Sequence, residues 1–405
     1  MTDRLGGRRV ALGVTGSIAA YKAVGIASAL TQQGAIVDVL MTAEAARLVQ
    51  PLSFEAITHR PAAVDMFELD PEGGIRHVTV GHAADVFVAA PATAHSIAKL
   101  ALGLADDMVS ATALSCSAPG VLAPAMESHM WTHPATQQHV DTLRQRGWTI
   151  VAPESGHLAS GAEGPGRLAD PEMILGAIKQ ALGRDGDLAG WRVAVTAGGT
   201  REPLDPVRYI SNRSSGKMGY AIAEAARDRG AAVTLITSAS LPALFGIQEE
   251  PVERATEMRD AVLRVLPQLD ALVMAAAVAD YRPTETAGQK IKKTADRISV
   301  DLTATPDILE EVMENRRDGT HPTVVGFAAE TNDLVPNARK KLLGKRLDLI
   351  FANDVTIDNS GFGSDFNKVT ILRRDGTEAD LPLLSKVDVA DRLWDEVARV
   401  HSQQA

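Results

Sequence analysis

One cysteine, Cys116, is all the thiol chemistry this chain has, which excludes an intrachain disulfide and a thiolate metal cluster. No run of about 18 apolar residues occurs, so no membrane span is expected. Positive charge is in deficit: 41 Lys and Arg stand against 51 Asp and Glu, a formal net charge of −10. That balance argues against a general nucleic-acid binder. No secretory leader is visible, because the apolar stretch after the first arginines contains glycine and threonine and reads as a strand. The expected location is the cytoplasm. Neither glycine loop described below has the G-x-G-x-x-G spacing, which counts against a nicotinamide-dependent oxidoreductase.

What is present is concentrated in residues 198–219, GGTREPLDPVRYISNRSSGKMG. The segment follows an apolar run, 192–196, that reads as a buried strand, and it ends where a helical pattern starts at Lys217. It carries Arg201, Arg208, Arg213 and Lys217 against only Glu202 and Asp205. Cations and glycines on a long loop at a strand end mark the place where an open α/β sheet binds an anion.

A chain of 405 residues, 45% hydrophobic, is too long for one compact core, so two or three domains are expected. The first half alternates strands (10–14, 36–41, 86–90, 121–123, 149–152) with helices (18–30, 94–104, 171–182). Residues 183–190 (GRDGDLAG) read as a linker. The pattern then restarts: RVALGVTG at 9–16 and WRVAVTAG at 191–198 are each a strand leading into a glycine loop. Two doubly wound domains in tandem are expected. Strands at 233–236, 271–275, 323–327 and 349–352 alternate with helices at 217–229, 257–266, 306–315 and 334–345. A hairpin joins 369–372 to 378–381, and an amphipathic helix closes the chain at 386–400.

Candidate site residues fall at strand ends. Gly16, Ser17 and Ile18 lie between a strand and a helix, where free backbone N–H groups can hold a phosphate. Ala92 and Thr93 follow a strand at the same sheet edge. Asp106 and Asp107 suggest either a metal pair or, with more weight, a solvated helix end. His77 lies before a strand, and a lone histidine there is more often structural than catalytic. Glu127 follows Pro124-Ala125-Met126 at a strand end. Residues 155–166 (SGHLASGAEGPG), which include Ser160, read as a glycine-rich lid. In the second half, Asn212 is flanked by cations, and 275–280 (AAAVAD) ends a strand on an acid. Lys290 opens a KIKK run. Lys341 and Lys345 share a helix face, although such a pair is usually solvated. A nucleoside triphosphate needs several cations, because each charge-assisted hydrogen bond contributes only about 1.5–3 kcal/mol.

In order, GSIAAYK at 16–22, the His77 region, PATA at 91–94, Asp106-Asp107, PAM followed by Met130-Trp131, and G-x-G-R at 164–167 resemble the flavin-containing cysteine decarboxylases. With 201–219 added, nearly the whole chain resembles the bacterial bifunctional phosphopantothenoylcysteine decarboxylase and phosphopantothenate–cysteine ligase family, CoaBC or Dfp. The resemblance implies an α/β fold with two doubly wound Rossmann-like domains in tandem. A flavodoxin-like flavoprotein decarboxylase domain would occupy 1–190, and a nucleotide-binding ligase domain 191–405.

It further implies FMN held by Gly16, Ser17 and Ile18 with Ala92 and Thr93 nearby, and His77 as catalytic base. The cysteinyl thiol would be oxidised to a thioaldehyde, the neighbouring carbon would lose CO2, and the hydride would return. In the ligase half it implies CTP, an acyl-cytidylate stabilised by Asn212, and Lys290 at the reacting phosphates. Ala275, Ala276 and Ala277 would line the base or ribose, with Asp280, Phe327, Lys341 and Lys345 as further nucleotide contacts. A helix start at Thr305, Pro306, Asp307 and Ile308 would approach the nucleotide, with Thr305 as its cap. Magnesium would accompany the triphosphate, with Asp280 a candidate ligand. The partners implied are 4′-phosphopantothenate, cysteine and CTP, with no nucleic acid and no membrane. The assembly implied is a homo-oligomer with a trimer-based decarboxylase core and dimerising ligase domains, up to a dodecamer.

In the decarboxylase half two positions depart from the family pattern, and in the ligase half Thr305 stands where asparagine is common. Glu127 stands where asparagine is common, and Ser160 where a lid cysteine supplies a proton. A hydroxyl is a far weaker acid than a thiol of pKa about 8.5. Cys116, outside the lid, cannot replace it. Burial beside a substrate carboxylate would raise the pKa of Glu127, so a protonated Glu127 is the expected acid. Water, with Glu127 facing solvent, is the alternative. At the level of function, the alternative is a ligase whose first domain binds flavin but is catalytically impaired and regulatory.

Overall fold

The computed structural model describes residues 4–69, 74–293, 298–316, 321–330, 332–354, 361 and 363–404. The chain divides into two compact units, Met1–Gly183 and Arg184–Ala405.

In the first unit, β1 (Arg9–Val14), β2 (Ile36–Met41), β3 (Val86–Ala92), β4 (Gly120–Pro124) and β5 (Thr149–Ile150) form one sheet in the order β2-β1-β3-β4-β5. Every pairing is parallel. Parallel strands are covered on both faces, hence their near-continuous apolar sequences. Helices α1 (Ala20–Gln32), α2 (Ala43–Leu48), α3 (Pro51–Thr58), α4 (Arg76–Ala83), α5 (Ala94–Leu102), α6 (Met108–Ser115), α7 (Ser128–Thr132), α8 (Pro134–Gln145) and α9 (Pro171–Gly183) supply that cover. One core cluster joins Phe87 and Ala89 of β3 and Leu122 of β4 to Ile97, Val109, Val140 and Leu143. The strand order reverses between β1 and β3, where doubly wound sheets open a ligand crevice.

Three sequence expectations change here. Strand β3 runs through Pro91 to Ala92, because the Pro91 carbonyl is held by Thr15, from both its amide (3.2 Å) and its hydroxyl (2.8 Å). The helix expected from residue 18 begins at Ala20. Residues 155–166 are ordered as an antiparallel hairpin, β6 (Glu154–His157) and β7 (Glu163–Arg167). The Leu158 amide donates to the Ala162 carbonyl at 2.9 Å and closes its turn.

The second unit holds β8 (Arg192–Ala197), a small hairpin of β9 (Arg201–Pro203) and β10 (Tyr209–Ser211), β11 (Ala232–Thr237), β12 (Gln248–Pro251), β13 (Ala271–Met274), a hairpin-like pair β14 (Tyr281–Pro283) and β15 (Leu302–Ala304), β16 (Thr323–Glu330), β17 (Leu349–Asp354), β18 (Phe366–Asn367), β19 (Val369–Arg373), β20 (Glu378–Asp380) and β21 (Leu384–Ser385). The main sheet is ordered β12-β11-β8-β13-β16-β17-β19-β20. Its first six strands are parallel, and β19 and β20 join antiparallel. The order reverses between β8 and β13.

Alternate residues of β8 face opposite layers, as a strand's period of two requires. Val193, Val195 and Ala197 pack with α10 (Lys217–Arg227) and α14 (Lys386–Gln404). Ala194 packs with α11 (Ala255–Val265), α12 (Ile308–Glu314) and α13 (Leu334–Gly344). Residues 183–190 are not a free linker. Leu188 is fully buried in the second unit's core. Arg229, itself buried, donates to Asp187 (2.9 Å) and to Asp395 (2.9 Å). No helix among the described residues is long and apolar enough to cross a membrane.

Candidate functional site

In the first unit, the buried hydroxyl of Thr15 stitches the β1–α1 turn to the end of β3. It donates to the Pro91 carbonyl and accepts from the Thr93 amide at 2.9 Å. Sequence reasoning missed Thr15, whose only signal is a hydroxyl directly after a strand. The Ser17 amide donates to the Thr15 carbonyl at 2.7 Å. A Cβ at Gly16 would lie 2.5 Å from that of Glu44, so the backbone itself forms the surface of this turn. Helix α1 has no side-chain cap, although its Ala20 amide donates to the Ser17 carbonyl and its Lys22 amide to that of Ala19, both at 2.9 Å. Thr93 caps α5 by accepting from the Ser96 amide at 3.2 Å. Ala92 is buried and Ile18 is exposed. The turn fits a phosphate.

His77 lies on α4, with its carbonyl accepting from the Ser115 hydroxyl at 2.9 Å. Among the described residues its buried Nδ1 has no hydrogen-bond partner, and neither has the buried Ser128 hydroxyl on α7. Buried orphaned polar atoms are rare and mark places that a bound group completes.

Glu127 does not meet the expectation of a protonated acid. It is the N-cap of α7, accepting from the His129 amide at 2.7 Å and pairing with the His129 ring at 3.1 Å. Burial pushes its pKa up, but the amide and ring of His129 outweigh this and hold it below the ordinary value. Ser160 is exposed at the hairpin tip, where its hydroxyl accepts from the Ala162 amide at 3.4 Å. Asp106 and Asp107 both pair with Lys99, at 2.6 and 2.8 Å, and Asp107 caps α6. They are a paired helix end, and the described residues include no metal-binding group of three. Burial pushes the Cys116 thiol pKa up, away from the thiolate form.

In the second unit, a cleft of about 1140 Å³ opens at the carboxyl ends of the central strands. It is bordered by the 212–219 loop, the 274–280 segment, the start of α12 and one face of α13. The turn at the end of β8 is zipped to the segment after β13. The Ala277 amide donates to the Gly198 carbonyl (2.8 Å), the Ala276 amide to the Thr196 hydroxyl (3.1 Å) and the Ala279 amide to the Thr200 hydroxyl (2.9 Å). Thr196 and Thr200, both fully buried, were not singled out from sequence. Gly198 has φ +86°, and a Cβ there would come within 2.7 Å of the Ala239 amide nitrogen; only glycine fits. The Asn212 side-chain amide donates to the carbonyls of Ala277 (3.3 Å) and Val278 (3.0 Å), which fixes it at the edge of the cleft.

Of the expected nucleotide contacts, residues 275–277, Asp280, 305–308, Phe327, Lys341 and Lys345 all line the cleft. Thr305 is not a helix cap. Its hydroxyl donates to the Ala279 carbonyl (2.5 Å) and its amide to that of Asp280 (3.0 Å). Asp307 caps α12 instead, accepting from the Glu310 amide at 3.1 Å. Asp307 also pairs with Lys345. Burial raises the Asp307 pKa, but Lys345, the Glu310 amide and Lys341 together bring it below the ordinary value. The bond to Asp307 holds Lys345 above its own. Lys341 donates to the Phe327 carbonyl at 2.8 Å, while the Phe327 ring stacks on Phe351 at 5.7 Å.

Lys290 is not part of the cleft lining. Its loop is moored beside β9 and β10: the Ile291 amide donates to buried Asp205 at 3.1 Å, and Arg208 donates to the Ile291 carbonyl at 2.7 Å. The Arg208 guanidinium holds the Asp205 carboxyl far below the usual carboxylate range, against the effect of burial. The structure therefore separates the cations of 198–219. Arg208 is bonded within the loop, and Arg201 lies over the Tyr209 ring at 5.5 Å. Lys217 pairs with Asp365 at 2.7 Å, and Arg213 borders the cleft.

Residues 1–183 match the family profile described as Flavoprotein, and residues 188–400 match the DNA/pantothenate metabolism flavoprotein C-terminal domain. The chain is 44% identical over 403 residues to the coenzyme A biosynthesis bifunctional protein CoaBC of Bacillus subtilis, covering 98% of each. It is 44% identical over 405 residues to the protein so named in Mycolicibacterium smegmatis, covering 96% of this chain and 97% of that one. A crystal structure of the C-terminal domain of CoaBC aligns at 36% identity over 54% of this chain and 99% of that one, with a TM-score of 0.46.

Proposed function

Because this chain belongs to the CoaBC family of coenzyme A biosynthesis bifunctional proteins, we propose that its second unit ligates 4′-phosphopantothenate to cysteine with CTP. We assign to the first unit the FMN-dependent decarboxylation of the product to 4′-phosphopantetheine. The observation that carries the reading is the seat of Asn212, tied to the carbonyls of residues 277 and 278 at the mouth of a cleft bordered by lysines.

The ligation begins when the substrate carboxylate displaces pyrophosphate from CTP, forming an acyl-cytidylate. The cysteine amine then attacks the acyl carbon and CMP leaves. A side-chain amide that is already fixed stabilises charge on the acyl oxygen without reorganising. Lys341 and Lys345 draw the nucleotide to the α12/α13 side, and the exposed Asp280 is the candidate magnesium ligand.

Bound FMN supplies the acceptance and return of a hydride. The turn at Gly16 to Ile18, beside Ala92 and Thr93, holds its phosphate. His77, with an unsatisfied Nδ1, is the group that moves a proton. Glu127, kept ionised by its cap and by His129, has no acid role, and water supplies the proton that a lid cysteine would have given. A homo-oligomer is part of the same proposal. We place the protein in the cytoplasm.

Incubation with 4′-phosphopantothenate, cysteine, CTP and magnesium, read by mass spectrometry, tests the proposal. Phosphopantetheine together with CMP is expected. Absence of CMP would overturn the ligase assignment. Phosphopantothenoylcysteine as the end product would favour a first unit that binds flavin without decarboxylating, the reading that the Ser160 position motivates.

A further inference from the structure

Thr15 is fully buried, and every polar group it has is used at the point where the first sheet reverses its strand order. Its amide donates to the Pro91 carbonyl at 3.2 Å, and its hydroxyl donates to the same oxygen at 2.8 Å. The hydroxyl oxygen accepts from the Thr93 amide at 2.9 Å, and the Thr15 carbonyl accepts from the Ser17 amide at 2.7 Å. The ladder between β1 and β3 ends at Gly13 and Ala89. Beyond it, Thr15 is what joins two backbone segments 76 positions apart.

Both segments gain a fixed shape from it. In the near one, the Ser17 amide is turned inward, and the amides of Gly16 and Ile18 have no partner among the described residues. A side chain at position 16 would meet Glu44, so backbone alone forms the surface there. In the far one, Thr93 is held by its amide while its hydroxyl starts α5 by accepting from the Ser96 amide. Ala92 is secured from the other side, its carbonyl accepting from the Ala125 amide at 3.0 Å.

We propose that Thr15 is the positioning residue of the cofactor site: its hydroxyl fastens the Gly16–Ile18 turn to Ala92 and Thr93 before flavin binds, so that the two segments form one phosphate cradle and FMN is selected over riboflavin. The inference rests on the FMN reading of the first unit. Thr15 does not touch the phosphate, because it is buried and its hydroxyl is satisfied as donor and as acceptor. Its contribution is a cradle whose ordering cost is met during folding and not at binding. Without the hydroxyl, the Thr93 amide loses its acceptor, and only the longer amide bond to Pro91 joins the segments. Riboflavin has the same ring and ribityl chain without the phosphate, so it has nothing to lose at this turn.

The test releases flavin from the full-length protein and from Thr15→Val and Thr15→Ser, then titrates each with FMN and with riboflavin by fluorescence. Thr15→Val should weaken FMN binding by roughly tenfold or more and leave riboflavin affinity within about twofold. Thr15→Ser keeps the hydroxyl and should stay within about threefold of wild type for both flavins. Equal weakening for the two flavins in Thr15→Val, or unchanged FMN affinity, overturns the inference while leaving a flavoprotein. A wild-type protein that binds neither flavin overturns the FMN reading and this one with it. If Thr15→Val does not fold, as judged by circular dichroism, hydrogen exchange in the wild-type protein decides. The Ser17 and Thr93 amides should be protected before FMN is added, and protection that arises only with FMN overturns a cradle assembled in advance.

Discussion

At the start of α7, Glu127 serves as a helix cap, and its bonds to His129 keep it charged. An acid whose pKa lies below the ordinary value is ionised throughout the neutral range and has no proton to give. Glu127→Gln retains an oxygen for the His129 amide, so the end product of the decarboxylase should remain phosphopantetheine at a similar yield. Mass spectrometry of the variant's products checks this, and accumulation of an unreduced thiol product would return Glu127 to the role of acid. Side chains such as Glu127 were legible as residues at a strand end, because the strand and its stop lie next to each other in sequence. What each side chain does there was not legible. The contact with His129 is a local cap that competes with any substrate contact. Thr15, Thr196 and Thr200 escaped notice because threonine in or near a strand end is common, and only the folded chain shows which hydroxyls fasten neighbouring loops.

Among the elements, the hairpin of β9 and β10 shows how a short structure is stabilised from outside. Strands of three residues carry no readable alternation, so neither this hairpin nor β14 and β15 could be read from apolar spacing. The longer elements were legible because apolar spacing repeats over two or more turns. The start of α12 was misread by two residues, since Thr305 and Asp307 are both acceptable caps and only the bond to Ala279 commits Thr305 elsewhere. Asp205 is the anchor of the small hairpin, binding the amides of Val207, Arg208 and Ile291. Its depressed pKa has a definite sign: the stabilisation is present above the ordinary carboxylate pKa and is lost only as pH falls through the much lower folded value. Asp205→Asn should therefore speed hydrogen exchange at the Ile291 amide at neutral pH, and should lower ligase kcat if Lys290 acts from this loop. Exchange unchanged from wild type would show that the loop is moored by other bonds.

For the molecule as a whole, the boundary between units lies earlier than its polar, glycine-rich sequence suggests. Leu188 is the apolar residue within 183–190 that the second core captures, and burying a leucine contributes about 1.5–3 kcal/mol. A chain beginning at residue 184 should ligate as the full protein does but decarboxylate nothing. A chain beginning at Trp191 forgoes Leu188 and the Asp187 bond to Arg229, and it should melt several degrees lower. Equal melting temperatures by differential scanning calorimetry would move the boundary back to 190. The matching starts of the two halves do not make them copies, because their sheets are ordered differently around the shared strand-and-loop opening.

Helix α14 buries Val389, Ala390, Leu393, Trp394 and Val397 completely, and the Trp394 indole donates to the Ile222 carbonyl at 2.9 Å. Helix α14 thus completes a core whose first strand begins at Arg192, far earlier in the chain. During synthesis the first unit can finish folding while the ribosome is still at work. The second must wait, its apolar layer open to chaperones, until α14 has left the ribosome.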